Sequence, residues 1–350
     1  MGRILTFART RSWFFYGFAV ITACIGLAAT PQSAYAASCE TVKVPVALQP
    51  GQPKDKFISG THCTPSSPSI MRSIDVLVPG GTYNSMYWDF PFNDGQYSYV
   101  KRTLAANRAT FSMDRIGTGE SSKPLSTAVT FQSEAYTMHQ VIEWLKASRN
   151  YNDVTSIGHS VGSVVAIHEA AVYGDVNRLV VTGFLHSPSF KVITTLGTGF
   201  QPAVLDPQFA GTGLDPGYIT TIPGQREKAF YSTSADRAVV AYDEAHKDII
   251  SATSLVGVAA HGLAPALLNN SRNVTVPVLT IAGDQDILCG PPLVGVDCSS
   301  NETVKAYEQN YYTRAASLTA QVVPNTGHNL PLHPSANDSF TAINQWIQQH

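Results

Sequence analysis

Short apolar runs alternate with longer stretches of helical period along most of this chain, the pattern of a mostly parallel sheet covered on both faces by helices. The runs Ser73 to Val78, Ala109 to Met113, Val154 to Ile157, Arg178 to Phe184, Val276 to Ile281 and Leu318 to Val323 are rich in β-branched residues and predict buried strands. Between them, Gln132 to Ser148, Val161 to Tyr173, Val304 to Ala315 and Pro334 to Gln349 predict helices. Ser133 is placed to cap the first of these and Gly174 to end the second. From about Ser187 to Asn273 the alternation breaks into Gly, Pro and Thr-rich segments with helical patches, which predicts a helical cap inserted between two core strands. The expected division is therefore a core of residues 37–186 and 274–350, with a cap of residues 187–273.

The first 36 residues read differently. Arg3, Arg9 and Arg11 precede an apolar run from about Trp13 to Ala29, and Ala34-Tyr35-Ala36 has the small-x-small form of a signal-peptidase site. A signal peptide over residues 1–36 is expected, giving a secreted or periplasmic protein without a stable membrane span; a single membrane anchor is the alternative.

With 44% hydrophobic and only 14% charged residues, the chain can bury a large core, which excludes a disordered protein. Loss of three arginines and no acid with the signal takes the formal charge from -2 to -5, so no nucleic-acid partner is expected. Cys24 leaves with the signal, and an even set remains: Cys39, Cys63, Cys289 and Cys298. In an oxidising compartment these are expected as disulfides, and of the three connectivities the local pairs Cys39 with Cys63 and Cys289 with Cys298 are preferred. Neither spacing is that of a zinc knuckle, and no metal or cofactor is implied. N-x-S/T sequons begin at Asn269, Asn273, Asn301 and Asn337.

The candidate chemistry centres on Gly158-His159-Ser160-Val161-Gly162, where a strand runs through a G-x-S-x-G turn into a small-residue helix start. Such a turn holds its serine on a strained backbone and exposes the hydroxyl beyond the sheet edge. A serine hydroxyl is a weak nucleophile at neutral pH and needs an imidazole to take its proton and a carboxylate to orient that imidazole. The strand ending Gly283-Asp284-Gln285-Asp286 offers two acids, and Gly327-His328 follows the last strand, with His333 five residues on. Carboxyl ends of parallel strands share one edge, so these loops can meet above Ser160.

These motifs, together with Met113-Asp114-Arg115-Ile116-Gly117-Thr118-Gly119-Glu120-Ser121 and Leu77-Val78-Pro79-Gly80-Gly81-Thr82, resemble the α/β-hydrolase superfamily over about residues 70–349. Pro79 stands where that family often has histidine. The resemblance implies Ser160 as nucleophile, Asp286 rather than Asp284 as the acid, and His328 rather than His333 as the base. It implies an oxyanion hole made by the N–H groups of Gly81 and Val161, with Thr82 as a substitute for Gly81. Asp114 is expected to brace its own turn. Tyr83 and Trp88 are expected to wall the substrate, while core packing is the competing role for Trp88, and the apolar run Ile249 to Ala260 is expected either to line the pocket or to face the core. The function expected is a serine hydrolase that cleaves a carboxylic ester, or a lactone, of a small molecule through an acyl-enzyme. Amide or peptide cleavage, cofactor-free perhydrolysis and a secreted ligand-binding protein are the alternatives.

Overall fold

The computed structural model describes residues 37–66, 72–187, 189–291 and 295–350; the expected signal segment lies outside them. Eleven strands and nine α-helices follow one another among these residues. Strands β1 (Ser38–Val46), β2 (Lys56–Thr64), β3 (Ser73–Val78), β4 (Ala109–Met113), β5 (Asp153–His159) and β6 (Arg178–Thr182) come first. The short strands β7 (Phe200–Pro202), β8 (Tyr218–Thr221) and β9 (Ile250–Ser251) follow, then β10 (Val278–Gly283) and β11 (Leu318–Val323). The helices are α1 (Tyr99–Ala105), α2 (Phe131–Arg149), α3 (Val161–Val172), α4 (Phe190–Thr198), α5 (Gln225–Phe230), α6 (Arg237–Ala245), α7 (Ala252–Leu263), α8 (Asn301–Glu308) and α9 (Ala336–Gln349).

The main sheet has the order β1-β2-β4-β3-β5-β6-β10-β11. Its last six strands are parallel, and β1 and β2 form an antiparallel hairpin that pairs antiparallel with β4. Because side chains alternate along a strand, each central strand feeds two cores. Ile74, Val76 and Val78 pack with α2 and α3 on one face, whereas Leu77, Val180, Leu279 and Ile281 pack with α9 and an aromatic cluster on the other. Both faces are covered, which is why β3 and β10 are buried at every position rather than at alternate ones.

Three expected strands match their observed bounds and the others move by a few residues. The start of β10 shifts past Pro277, which has no N–H to give a ladder. Helix α2 begins earlier than expected because its N-cap is Thr130, whose Oγ1 accepts from the Ser133 N–H while the Ser133 hydroxyl accepts from Thr130 N–H. Ser133 is thus inside the capping box and not the cap itself. Ser300 and Thr303 form the same box at α8, so that helix starts at Asn301 rather than Val304 and stops at Glu308. The β1–β2 hairpin and α1 were not expected. Much of β1 is an exposed edge with mixed polarity, which carries little periodic signal.

The segment between β6 and β10 holds four helices and the small antiparallel sheet β7-β8-β9. The Cys39 and Cys63 sulfurs, on directly opposed residues of the hairpin, lie 2.03 Å apart, at disulfide distance. Those of Cys289 and Cys298 lie 1.93 Å apart and close the loop after β10. Among the described residues no helix is long and apolar enough to cross a membrane.

One buried ion pair ties the sheet edge to a helix. Arg115 Nη1 lies 2.8 Å from Glu134 Oε1, both side chains are almost wholly buried, and Arg115 Nη2 donates to the Gly80 carbonyl at 3.0 Å. Removing one partner leaves an uncompensated buried charge. Glu134→Ala is therefore expected to cost about 3 to 5 kcal/mol in urea unfolding. An unchanged unfolding midpoint would contradict this account.

Candidate active site

Ser160 occupies the sharp turn between β5 and α3 with φ 52° and ψ -117°, a strained backbone for any residue but glycine. The turn closes only because its flanking residues have no side chain. A Cβ on Gly158 would sit 2.5 Å from the Gly162 carbonyl oxygen, and one on Gly162 would sit 2.4 Å from that of Val78. The turn is fastened from β6, where the Thr182 carbonyl accepts from the Ser160 N–H at 2.8 Å and from the Ser163 hydroxyl at 2.9 Å.

Two further loops reach the same edge. His328 follows β11, and its Nε2 lies 2.9 Å from Ser160 Oγ. Its Nδ1 lies 3.0 Å from each Asp286 oxygen, and Asp286 is completely buried after β10. Asp286 also accepts from the Leu288 N–H at 3.0 Å, which fixes the carboxylate. Asp284 is exposed and accepts from the Thr326 N–H, a turn bond away from the imidazole. His333 is equally committed elsewhere. Its Nε2 accepts from the N–H groups of Ser232 and Gly327 at 3.0 and 3.1 Å, and its Nδ1 donates to the Asn329 carbonyl.

The loop between β3 and α1 completes this edge. Gly80 is so close to the turn that a Cβ there would lie 2.8 Å from the His159 ring, and one on Gly81 would lie 3.1 Å from Val161 Cγ2. The N–H groups of Gly81 and Val161 donate to no acceptor among the described residues. Thr82 has φ 61°, unusual for a β-branched residue, and is held there from above. Arg226 on α5 donates to Thr82 Oγ1 at 2.7 Å, lies 4.2 Å above the Tyr83 ring, and makes a two-pronged bond with Asp243 on α6. Burial opposes the Arg226 charge, but Asp243 outweighs it and holds the guanidinium above its ordinary pKa. The same Asp243 accepts from the Tyr83 and Tyr231 hydroxyls, and the Asn329 amide donates to Tyr83 Oη. None of this network was visible in the sequence. Arg226 and Asp243 are distant in the chain from Thr82 and Asn329, and no local pattern links them.

Asp114 accepts from the N–H groups of Ser85 and Glu120 at 2.7 and 2.9 Å, the bracing role expected of it. Trp88 is displaced from its expected role: it is fully buried, packs edge-on against Tyr87 and Tyr99, and is not in the cavity wall. The short 3-10 turn Ser85–Trp88 rotates it into the core. Tyr83 does line the cavity.

That cavity has a volume of about 110 Å³ and opens over Ser160, His328, Gly81 and Val161. Its wall is almost entirely apolar, with Phe184, Val192, Phe200, Phe230 and Leu288 among its residues. Leu255, Val258 and Ala259 of α7 contribute as well, so part of the apolar run Ile249 to Ala260 faces the cavity.

A second relay of the same type exists elsewhere. His186 Nδ1 lies 2.7 Å from Glu308 Oε2, and His186 Nε2 lies 2.9 Å from Ser271 Oγ. All three side chains are fully buried, none lines the cavity, and Ser271 Oγ is shared with His261 Nε2 at 3.3 Å. Ser271 has no left-handed backbone either. The relay therefore packs the end of β6 against α8 and has no route to a ligand.

Several of the protein's histidines are held uncharged. Burial keeps His159 well below its ordinary pKa, with the neighbouring His328 ring adding to the effect. Burial likewise lowers His333, and it lowers His261 to about 3 with help from His186. The unfolded chain then binds protons first, near pH 6.5. Stability from these groups is complete above that pH and is lost as pH falls toward the lowered folded values, by up to about 1.4 kcal/mol per pH unit per histidine. Urea midpoints measured from pH 7.5 downward are expected to fall, and a flat profile would exclude this reading.

Residues 76–340 match the alpha/beta hydrolase family. No curated protein matches the chain. Among solved structures, a thermophilic esterase from Thermogutta terrifontis is similar with TM-score 0.57 and 17% identity, over 89% of this chain and 98% of that one. An esterase from Exiguobacterium antarcticum is similar with TM-score 0.57 and 14% identity, over 88% and 99%. An epoxide hydrolase is similar with TM-score 0.53 and 14% identity, over 89% and 99%. At these identities the likeness is one of fold.

Proposed function

The chain belongs to the alpha/beta hydrolase family, and on that premise we propose that it is a secreted serine hydrolase cleaving carboxylic esters through an acyl-enzyme at Ser160. The observation that carries this reading is the Ser160 hydroxyl, 2.9 Å from His328 Nε2 on a strained turn at the floor of an apolar cavity. His328 takes the serine proton as Oγ attacks the ester carbonyl, and Asp286 stabilises the imidazolium and fixes its tautomer. The N–H groups of Gly81 and Val161 receive the developing oxyanion, an effect on the order of 3 kcal/mol for each donor. Collapse expels the alcohol, protonated by His328, which then activates water to release the acid.

Residues 187–273 act as the cap in this reading, and the rest of the mature chain as the core. Helices α4 and α7 of that segment supply Val192, Leu255, Val258 and Ala259 to the wall. The paired cysteines and the leader-like first 36 residues support export. The cavity also limits the substrate. Its apolar wall suits an apolar acyl group and offers nothing to a charged one.

A serine-directed organophosphate is expected to label Ser160 in one-to-one ratio and abolish ester turnover; labelling of another residue would overturn the assignment. His328→Ala is expected to lower kcat by on the order of 10⁵-fold or more. His333→Ala is expected to act on stability instead, because it strips the acceptor from two N–H groups. In a panel of esters with apolar and charged acyl groups, kcat/KM is expected to be highest for the apolar ones. Faster turnover of the charged esters would refute the argument from the wall while leaving the nucleophile in place.

A further inference from the structure

The N–H of Gly81 shares one peptide unit with the carbonyl of Gly80, and in a trans unit the two point in opposite directions. No cis peptide bond occurs among the described residues, so whatever holds the Gly80 carbonyl also aims the Gly81 N–H. That carbonyl is held twice. The Tyr83 N–H donates to it at 3.3 Å and Arg115 Nη2 at 3.0 Å. Arg115 reaches it from the turn after β4, wholly buried, while its Nη1 donates to Glu134 Oε1 of α2 at 2.8 Å. Gly81 lines the cavity and Arg115 does not, so the guanidinium sits behind the peptide unit, on the side away from its N–H. Arg226 acts further along the loop, on Thr82. The other proposed oxyanion donor is fixed differently. The Val161 N–H shares its unit with the Ser160 carbonyl, which accepts from the Ser163 and Val164 N–H groups at 2.9 and 3.3 Å. The first turn of α3 therefore orients that donor, and the loop that carries Gly81 has a guanidinium in place of a helix.

We propose that Arg115 is a positioning residue for the hydrolysis, aiming and polarising the Gly81 N–H toward the oxyanion without touching the substrate. The proposal rests on the acyl-enzyme reading above. A buried ion pair is a poor source of stability, because taking two charges out of water offsets their attraction, and apolar side chains of similar volume often hold a fold as well. What an apolar pair could not supply here is a charged donor to one carbonyl of the oxyanion loop. The planar fork of Arg115 bonds the carboxylate with one nitrogen and the carbonyl with the other, which sets the orientation of the peptide plane. Its charge also polarises that peptide, and hydrogen bonds linked in such a chain strengthen one another in a buried setting. The oxyanion exists only in the transition state, so the effect falls on kcat and not on KM.

The test replaces the pair while keeping the core filled, with Arg115→Met combined with Glu134→Leu in the full chain. Urea unfolding of this double variant is expected near the native midpoint. Its kcat on an apolar ester is expected to fall at least about tenfold with KM unchanged. The affinity for an apolar trifluoromethyl ketone, which forms a tetrahedral adduct with Ser160, is expected to fall by the same factor. The matching alcohol, which forms no adduct, is expected to bind as it does to the native chain. Should the double variant not fold, Arg115→Lys keeps a cation beside Glu134 but has one nitrogen where the fork has two, and the same split is expected, about tenfold in kcat. A native kcat in a folded variant, or equal losses for ketone and alcohol, would overturn the proposal alone. A native chain that forms no adduct at Ser160 would overturn the acyl-enzyme reading, and the proposal with it.

Discussion

The close approach of β5, α3 and the end of β3 is the constraint on which the rest of the site depends. Gly158 and Gly162 leave no room for a Cβ, and that contact forces Ser160 into a positive φ. The strain lifts the hydroxyl out of the sheet, brings the Val161 N–H beside Gly81, and sets the distance at which His328 can meet Oγ. It is held by β6, because the Thr182 carbonyl secures both the Ser160 N–H and the Ser163 hydroxyl. A turn of this kind needs support from several strands, and the parallel order of the sheet supplies it.

The two Ser–His–acid relays in this molecule separate geometry from function. Ser271, His186 and Glu308 match Ser160, His328 and Asp286 closely in distance, yet the former lie sealed in the core. What distinguishes the latter is a cavity above the hydroxyl, unbonded N–H groups beside it, and a backbone that points the Ser160 hydroxyl outward. Hydrogen bonding alone would have nominated either serine. The buried relay instead satisfies polar groups where β6 meets α8, an ordinary demand of any core.

How legible the site was in the sequence follows from how local each signal is. Ser160, Asp286 and His328 each follow the end of a strand within a short motif, so their positions could be read along the chain. Asp284 and His333 were close rivals in sequence, and what sets them apart is bonding to Thr326, Ser232 and Gly327. Trp88 shows the limit from another side: an aromatic after a loop looks the same whether it faces a ligand or the core, and a 3-10 turn decides. The strands buried on both faces were legible as largely apolar runs, while the exposed edge strand β1 was not. Arg226, Asp243 and the buried relay were invisible because they join residues far apart in the chain.

The bond between Arg226 and Asp243 bears on how this architecture can change. Both residues sit on the insert between β6 and β10, yet they hold Thr82 and Tyr83 of one core loop and, through the Tyr83 hydroxyl, Asn329 of another. The insert is therefore not an independent module resting on a finished core. Exchanging it for a segment without this arginine would remove the guanidinium that holds Thr82 in its positive-φ conformation. The shape of the cavity is more open to change by exchanging wall residues such as Val192, Phe200 and Leu255 one at a time than by transplanting the whole insert. The same bond opposes rigid-body lifting of the insert. Entry to the cavity then falls to the half-exposed side chains at its rim, Ile193 and Leu263, which can change rotamer without disturbing the ion pair.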